Sequence, residues 1–130
     1  MDAFWELFST DGRANRAWYF WHIVLDDLVM FSLFLALVLT GTLLGSPFLF
    51  LPAVGVLVGG FWAAIAVTVK RLHDLGRPGW HWWLLAIPLY NIYLGCVLLF
   101  AKGTVGPNRF GRDPLGVAWD SAHALTGGDP

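Results

Sequence analysis

The residue types best suited to chemistry lie between Lys70 and Trp80, in a segment that reads K-R-L-H-D-L-G-R-P-G-W. It contains three of the eight Lys and Arg residues, the neighbours His73 and Asp74, and a Gly-Arg-Pro-Gly turn. A histidine beside a carboxylate could relay protons or, together with Arg71, hold a ligand. Long apolar runs flank the segment, so we expect it to lie in water or at a membrane surface.

A second set of polar residues lies at the start of the first long apolar stretch. Asn15, Tyr19, His22 and Asp26 are spaced i, i+4, i+7 and i+11, which places them on one face of a helix. An acidic residue in a membrane helix is costly unless it is paired or hydrated. This face is therefore expected to contact protein or water and not lipid.

Two arrangements could satisfy these polar groups. In the preferred one, Arg71, His73 and Asp74 meet the polar residues of the first helix and form a structural clamp at the membrane interface. The alternative is a small transporter or lipid-binding protein whose polar cavity is lined by His22, Asp26, His73 and Asp74.

No metal, cofactor or catalytic site is predicted. The four His residues include no pair at i, i+4, and the motifs H-E-x-x-H, G-x-S-x-G and G-x-x-x-x-G-K-[ST] are absent from the sequence. The loop from Lys102 to Asp113 contains glycines and three basic residues. It could hold a lipid phosphate or an acidic partner, although an ordered turn at the membrane surface is the preferred interpretation.

The composition indicates a membrane protein of one domain. Of its 130 residues 57% are hydrophobic and 13% are charged, whereas soluble domains are roughly half apolar and about a quarter charged. Eight Trp and ten Phe are typical of chains with aromatic residues at membrane boundaries. The net charge of -1 argues against a nucleic-acid partner. The single Cys96 excludes an intramolecular disulfide.

The apolar pattern predicts an all-α polytopic integral membrane protein with three helical segments. They cover about residues 18–44, 48–69 and 80–101, and residues 1–115 form one membrane domain. A short interfacial helix precedes them in residues 1–9, where Phe4, Leu7 and Phe8 share a face. Residues 116–130 are expected to form a flexible tail.

The third segment carries Pro88 and Asn91 near its middle, so its helix must bend or break. Either it is one bent span, or it is a re-entrant hairpin whose tip is buried in protein. A hairpin would put all eight basic residues on the cytoplasmic side with the N-terminus, as the positive-inside rule favours. Length and the cost of lipid-exposed broken backbone favour the bent span, which is the preferred interpretation.

Small residues in the second segment offer a helix-packing ridge. Gly55, Gly59 and Ala63 recur every four residues, and Gly60 and Ala64 widen the ridge. Packing within the chain is the preferred interpretation, and homo-oligomerisation through this ridge is the alternative.

Five motifs are distributed along residues 4–115: Gly12-Arg13-Ala14-Asn15-Arg16, Arg71-Leu72-His73-Asp74, Gly79-Trp80, Ile87-Pro88, and a run from Gly103 to Pro114 that includes Asn108 and Asp113. Together they resemble those of a bacterial inner-membrane family known as domain of unknown function 805. Phe110 and Arg112 depart from the family's usual Tyr and Pro. The resemblance implies a membrane fold in the bacterial inner membrane and no established activity.

These observations predict a small accessory or interaction module of the inner membrane, with the N-terminus in the cytoplasm. Its expected partners are the lipid bilayer, another membrane protein or a second copy of the chain. The candidate site residues are Arg13, Arg16, His22, Asp26, Arg71, His73, Asp74, Asn108 and Asp113.

Overall fold

The structure is a computed structural model that describes Trp5 and residues 7–116. Within this part of the chain the regular elements are all helical, which confirms the predicted all-α class. They are α1 (Arg16–Leu43), a first 3-10 helix (Pro47–Leu49), α2 (Phe50–Asp74), a second 3-10 helix (Gly79–Ala86) and α3 (Tyr90–Phe100). Most of the predicted interfacial helix (residues 1–9) and nearly all of the predicted tail (116–130) lie outside the described residues.

Two helical stretches are long and apolar enough to cross a membrane, Arg16–Leu43 and Pro47–Asp74. Each has 28 residues and, at about 1.5 Å per residue, exceeds the roughly 30 Å of a hydrocarbon core. Asn15 starts α1 by accepting a hydrogen bond from the Trp18 amide at 2.9 Å. The most apolar part of α1 has none of its residues buried inside the fold. Its side chains therefore face outward, as they must in lipid.

The charged segment between the apolar runs is partly buried within the fold. Helix α2 continues to Asp74, beyond the predicted end at residue 69, and Lys70, Arg71 and Asp74 are buried. Gly76, with φ +71°, then ends the helix: its amide donates to the His73 carbonyl at 3.0 Å. Neighbouring segments of the same chain supply these buried residues with the polar partners that water would otherwise provide.

Helices α1 and α2 pack antiparallel, with close contact at one glycine. A Cβ atom on Gly60 would lie 2.9 Å from the Met30 Cγ atom of α1, so a larger residue there would push the helices apart. Ala63 is also buried in the fold, whereas a Cβ on Gly55 or Gly59 would meet nothing within 4 Å. The predicted ridge is thus divided: Ala63 packs inside the chain, and Gly55 and Gly59 face outward.

The third apolar segment reverses direction and is not a single bent helix. Gly79, which directly precedes it, lies against Val69 and His73, because a Cβ there would be 2.8 Å from Val69 Cγ1. Its last residues reach the same end of α2, where the Leu98 and Ala101 carbonyls accept hydrogen bonds from Arg71. Both ends of the segment therefore lie at the same end of α2, which is the geometry of the hairpin alternative and not of the preferred bent span.

The reversal occurs at Pro88 and Leu89, between the second 3-10 helix and α3. Leu89 has φ +67°, in the left-handed region that a residue with a branched side chain rarely occupies. The tip is exposed: Leu89 and Ile92 are 80% and 65% accessible. The prediction that a hairpin tip would be buried in protein does not hold within this chain.

The core lies where α1, α2 and the hairpin meet. It contains the buried residues Tyr19, Val67, Leu72, Leu94 and Leu98. Trp82 of the second 3-10 helix packs beside this core and makes an edge contact with Phe61 of α2, with ring centroids 6.3 Å apart. The core sits at the Asp74 end of α2, so it supports the polar residues gathered there.

Candidate functional site

Asp74 is the centre of a buried ionic cluster formed with Arg13 and Arg71, here called the arginine–aspartate network. Arg13 donates to Asp74 Oδ1 from Nε at 3.2 Å and from Nη2 at 3.0 Å, and Arg71 Nη1 donates to Asp74 Oδ2. The side chains of Arg13 and Asp74 are 1% and 4% exposed, and that of Arg71 is fully buried. Both carboxylate oxygens therefore already have cationic partners.

The remaining donors of Arg71 hold the end of α3. Its Nε donates to the Leu98 carbonyl at 2.8 Å, and its Nη2 donates to the Ala101 carbonyl at 2.5 Å. The last carbonyls of a helix lack partners within the helix and carry its negative dipole end. A cation is therefore favourable here, and Arg71 joins the ends of α2 and α3.

The remaining donors of Arg13 hold the loop that follows α3. Its Nη1 donates to the Gly106 carbonyl at 2.6 Å, and its Nη2 donates to the Thr104 carbonyl at 2.5 Å. The planar guanidinium presents several donors at fixed angles, so one side chain can satisfy a carboxylate and two carbonyls together. Arg13 thereby connects the segment before α1 to both α2 and this loop.

The loop is also bound directly to the last turn of α2. Thr104 donates to the Asp74 carbonyl from its amide at 2.8 Å and from Oγ1 at 2.9 Å. Asn108 Nδ2 donates to the His73 carbonyl at 2.9 Å. A Cβ on Gly103 would lie 2.0 Å from Asp74 Oδ2, so the chain passes the carboxylate too closely for any side chain.

His73 is held by packing and by one polar contact. Its Nδ1 lies 3.2 Å from the Gly12 carbonyl, and its ring stacks on Phe110 with centroids 4.0 Å apart and planes 6° apart. Arg109 lies over the Phe110 ring at 4.6 Å. Stacking uses the face of the ring and not a hydroxyl, so Phe110 performs this role without the Tyr hydroxyl usual in the resembling family.

Asp113 stabilises the loop from its far end. Its Oδ1 accepts from the Leu115 amide and its Oδ2 from the Gly106 amide, both at 2.9 Å. These hydrogen bonds from backbone amides lower the pKa of Asp113, because they stabilise the charged carboxylate. The side chain therefore acts as a fixed hydrogen-bond acceptor and not as a proton carrier near neutral pH.

Two predicted site residues lie elsewhere. His22 Nδ1 contacts the Trp18 carbonyl at 2.8 Å, and its ring stacks on Trp18. Asp26 borders a groove shared with Gly60 and Ala64, and Ala64 lies ten residues, or about 15 Å of helix, before Asp74. Asp26 and Asp74 are therefore too far apart along the bundle to line the one cavity predicted for His22, Asp26, His73 and Asp74.

The other predicted residues converge at one end of the molecule. The arginine–aspartate network, His73, Asn108 and Asp113 lie together, and Arg16 lies at the edge of this group. Sequence reasoning missed Thr104 and Gly103, whose contacts with Asp74 fix the loop. A Gly-Thr pair in a turn-rich loop is the only sequence signal they offer, and the carbonyl acceptors offer none.

This geometry is that of a structural clamp. Asp74 is saturated by two guanidinium groups, so it is not available as a general base. The clamp differs from the predicted one, because it joins the segment before α1, α2, the end of α3 and the following loop. It does not use the acidic residues of α1.

Comparisons with known proteins identify the same family that the sequence motifs indicate. The model of a family described as "Protein of unknown function (DUF805)" matches residues 7–112. The inner membrane protein YhaH of Escherichia coli K12 is 35% identical over 104 residues, covering 79% of this chain and 84% of that protein. The inner membrane protein YhaI of the same strain is 30% identical over 103 residues, covering 79% and 83%. No solved structure matches the chain.

Proposed function

Because the chain belongs to the DUF805 family of inner-membrane proteins of unknown function, we propose that it acts as a membrane interaction module without catalysing a reaction. The module has a rigid polar end, held by the arginine–aspartate network. It also has a hairpin whose tip contacts a neighbouring protein within the membrane.

In the proposed membrane arrangement α1 and α2 cross the bilayer, and the segment from Gly79 to Ala101 enters and leaves on the cytoplasmic side. The lengths of the two long helices support two crossings. The contacts of Gly79 and Ala101 with the same end of α2 support a re-entrant hairpin. This arrangement places the eight Lys and Arg residues on the side of the N-terminus, in agreement with the positive-inside rule.

The observation that carries the proposal is the exposed break in the hairpin. Helical structure is interrupted between Ala86 and Tyr90, where Leu89 is 80% exposed and has φ +67°. Trp82 beside Phe61 indicates that the tip points toward the middle of α2, away from the polar end. Broken backbone within a bilayer is tolerated where protein covers it, because lipid cannot satisfy its polar groups. A neighbouring protein is therefore expected over the tip.

The arginine–aspartate network gives this tip a fixed position. Arg71 binds the Leu98 and Ala101 carbonyls, so the returning arm of the hairpin is attached to α2. A second copy of the chain is one candidate neighbour, since Gly55 and Gly59 leave open space on the outside of α2 for close helix approach.

Site-specific photo-crosslinking in native membranes tests the proposal. A photoreactive residue replaces Leu89 at the tip, and the matched control replaces Leu25, which is 51% exposed on α1. We expect a protein adduct of defined mass from position 89 and none from position 25. A differently tagged second copy identifies a homo-oligomer. The absence of an adduct at position 89, or the same adducts from both positions, would contradict an interaction through the tip.

A further inference from the structure

We propose that a recess between the start of α1 and the loop after α3 binds the phosphate group of an anionic phospholipid, with Arg16 and Lys102 as its cationic ligands. The recess has a volume of about 400 Å³, and its lining includes Asn15, Arg16, Lys102, Gly103 and Asp113. It lies beside the arginine–aspartate network but involves different basic residues.

Arg16 and Lys102 are available for a ligand, in contrast to the other cations of this region. Both side chains are exposed, and neither forms an ion pair within 4.0 Å in residues 7–116. Arg13 and Arg71 instead use their donors on Asp74 and on backbone carbonyls. Arg13 and Arg71 are therefore used in structural contacts, whereas Arg16 and Lys102 line the recess without such contacts in the described residues.

The acidic residues around the recess do not cancel this charge. Asp74 is bound by Arg13 and Arg71, and Asp113 accepts bonds from two backbone amides. The four cations Arg13, Arg16, Arg71 and Lys102, counted against these two carboxylates, leave a net charge of +2. The Lys102 and Gly103 amides also have no acceptor in the described part of the chain. An anion with several oxygen acceptors fits such a site.

The position of the recess identifies the source of the phosphate as a lipid. Arg16 lies two residues before a cluster of aromatic residues, Trp18 to Trp21, of the kind that lies at the level of lipid headgroups. This step rests on the proposed membrane arrangement, in which α1 enters the bilayer here. The N-terminal end of α1 adds a positive dipole end on the same side as the two cations.

The test uses the full chain purified in neutral detergent micelles and titrated with phosphatidylglycerol or phosphatidylcholine, with bound lipid counted by native mass spectrometry. We expect preferential binding of phosphatidylglycerol. Arg16→Gln and Lys102→Gln should each weaken it about fivefold, because one basic residue near anionic lipid contributes about 1 kcal/mol. Arg112→Gln is the matched control, since Arg112 is exposed on the same loop and outside the recess.

Three results would overturn the inference. They are equal binding of the two lipids, equal weakening by the control variant, and displacement of the lipid by an equal concentration of inorganic phosphate, which would indicate a site for the free anion. Unchanged thermal unfolding of the variants shows that they are folded. Binding in micelles does not depend on the hairpin tip, so failure here and failure of the crosslinking proposal remain distinguishable.

Discussion

Asp74 illustrates how a carboxylate can be buried at the end of a membrane helix. Removing a charge from water is costly unless other groups replace the water, and here two guanidinium groups do so. The excess positive charge is in turn surrounded by carbonyl oxygens, among them those of Leu98 and Gly106. Each group is satisfied only if all the segments are in place, so the network makes the end of the fold cooperative.

Asp74→Asn tests this cooperativity. The substitution leaves Arg13 and Arg71 buried without their anion, and breaking a buried pair in this way costs about 3–5 kcal/mol. We expect a clear fall in the midpoint of thermal unfolding in detergent micelles. Asp11→Asn is the control, because Asp11 is exposed. A midpoint that falls equally in both variants would mean that the network contributes nothing specific.

The hydrogen bonds of Asp113 predict that the stability of the loop after α3 depends on pH. Hydrogen bonds from the Leu115 and Gly106 amides lower its pKa below the ordinary value of 3.8. A depressed pKa means that the charged form stabilises the folded loop above pH 3.8, and that this stability is lost as the pH falls through the lower pKa of the folded state. The protection of the Gly106 amide, which is its hydrogen exchange relative to the intrinsic rate at the same pH, should therefore fall only in acid.

The variant Asp113→Asn provides the comparison for this measurement. It removes the titrating group, so the acid-induced change at Gly106 should disappear while the neutral-pH exchange becomes faster. Arg13, Lys102 and Asp74 also influence this carboxylate through their charges. A transition that persists in the variant would assign the pH dependence to another group.

The sequence predicted most members of this site but not their partners. Arg71, His73 and Asp74 were recognisable as polar residues between apolar runs, and Arg13 was recognisable as part of the Gly12–Arg16 motif. Their contacts with Thr104 and with backbone carbonyls could not be predicted, since every residue has a carbonyl and spacing does not indicate which one is near. His22 and Asp26 were grouped with them because the sequence shows which face of the helix they share. It does not show how far along the bundle they lie from Asp74.

At the scale of elements, contact between α1 and α2 depends on Gly60. A side chain at this position would meet Met30, with a Cβ atom 2.9 Å from Met30 Cγ. We expect Gly60→Leu to lower the free energy of unfolding by about 1–3 kcal/mol, as overpacking usually does, measured by denaturant titration in micelles.

Gly59→Leu is the matched control for Gly60→Leu. It makes the same change one residue earlier, where a Cβ would meet nothing within 4 Å. Its stability should stay close to that of the unmodified chain, because the added side chain meets no neighbouring atom, and the change in helix propensity is the same in both variants. Equal losses in the two variants would show that contact with Met30 does not determine the effect.

The direction of the third segment could not be settled from the sequence. Pro88 correctly indicated a break, but a break does not specify whether the chain continues forward or returns. The return is fixed by contacts distant in sequence, of Trp82 with Phe61 and of Arg71 with Leu98. Segment length favoured the forward path because it takes no account of these contacts.

At the scale of the whole molecule, two long apolar helices and the third apolar segment share one polar end. Composition predicted the membrane class, because 57% hydrophobic residues with 13% charge leave too little polar surface for water. It did not predict that segments from both halves of the chain would close over the end of α2. That closure brings Gly12 to His73 and Arg13 to Gly106, across most of the described chain.

The proposed arrangement predicts opposite accessibility for the two ends of the bundle. In a Cys96→Ser background, Leu44→Cys places a thiol in the turn between α1 and α2, and Arg112→Cys places one in the loop after α3. A membrane-impermeant thiol reagent added to intact spheroplasts should label position 44, which is 71% exposed, from outside. Position 112 should react only after the membrane is permeabilised, because the hairpin returns the chain to the cytoplasm.

External labelling of position 112 would instead mean that the third segment crosses the bilayer. The segment would then have to separate from the Asp74 end of α2 and break the bonds of Arg71 to Leu98 and Ala101.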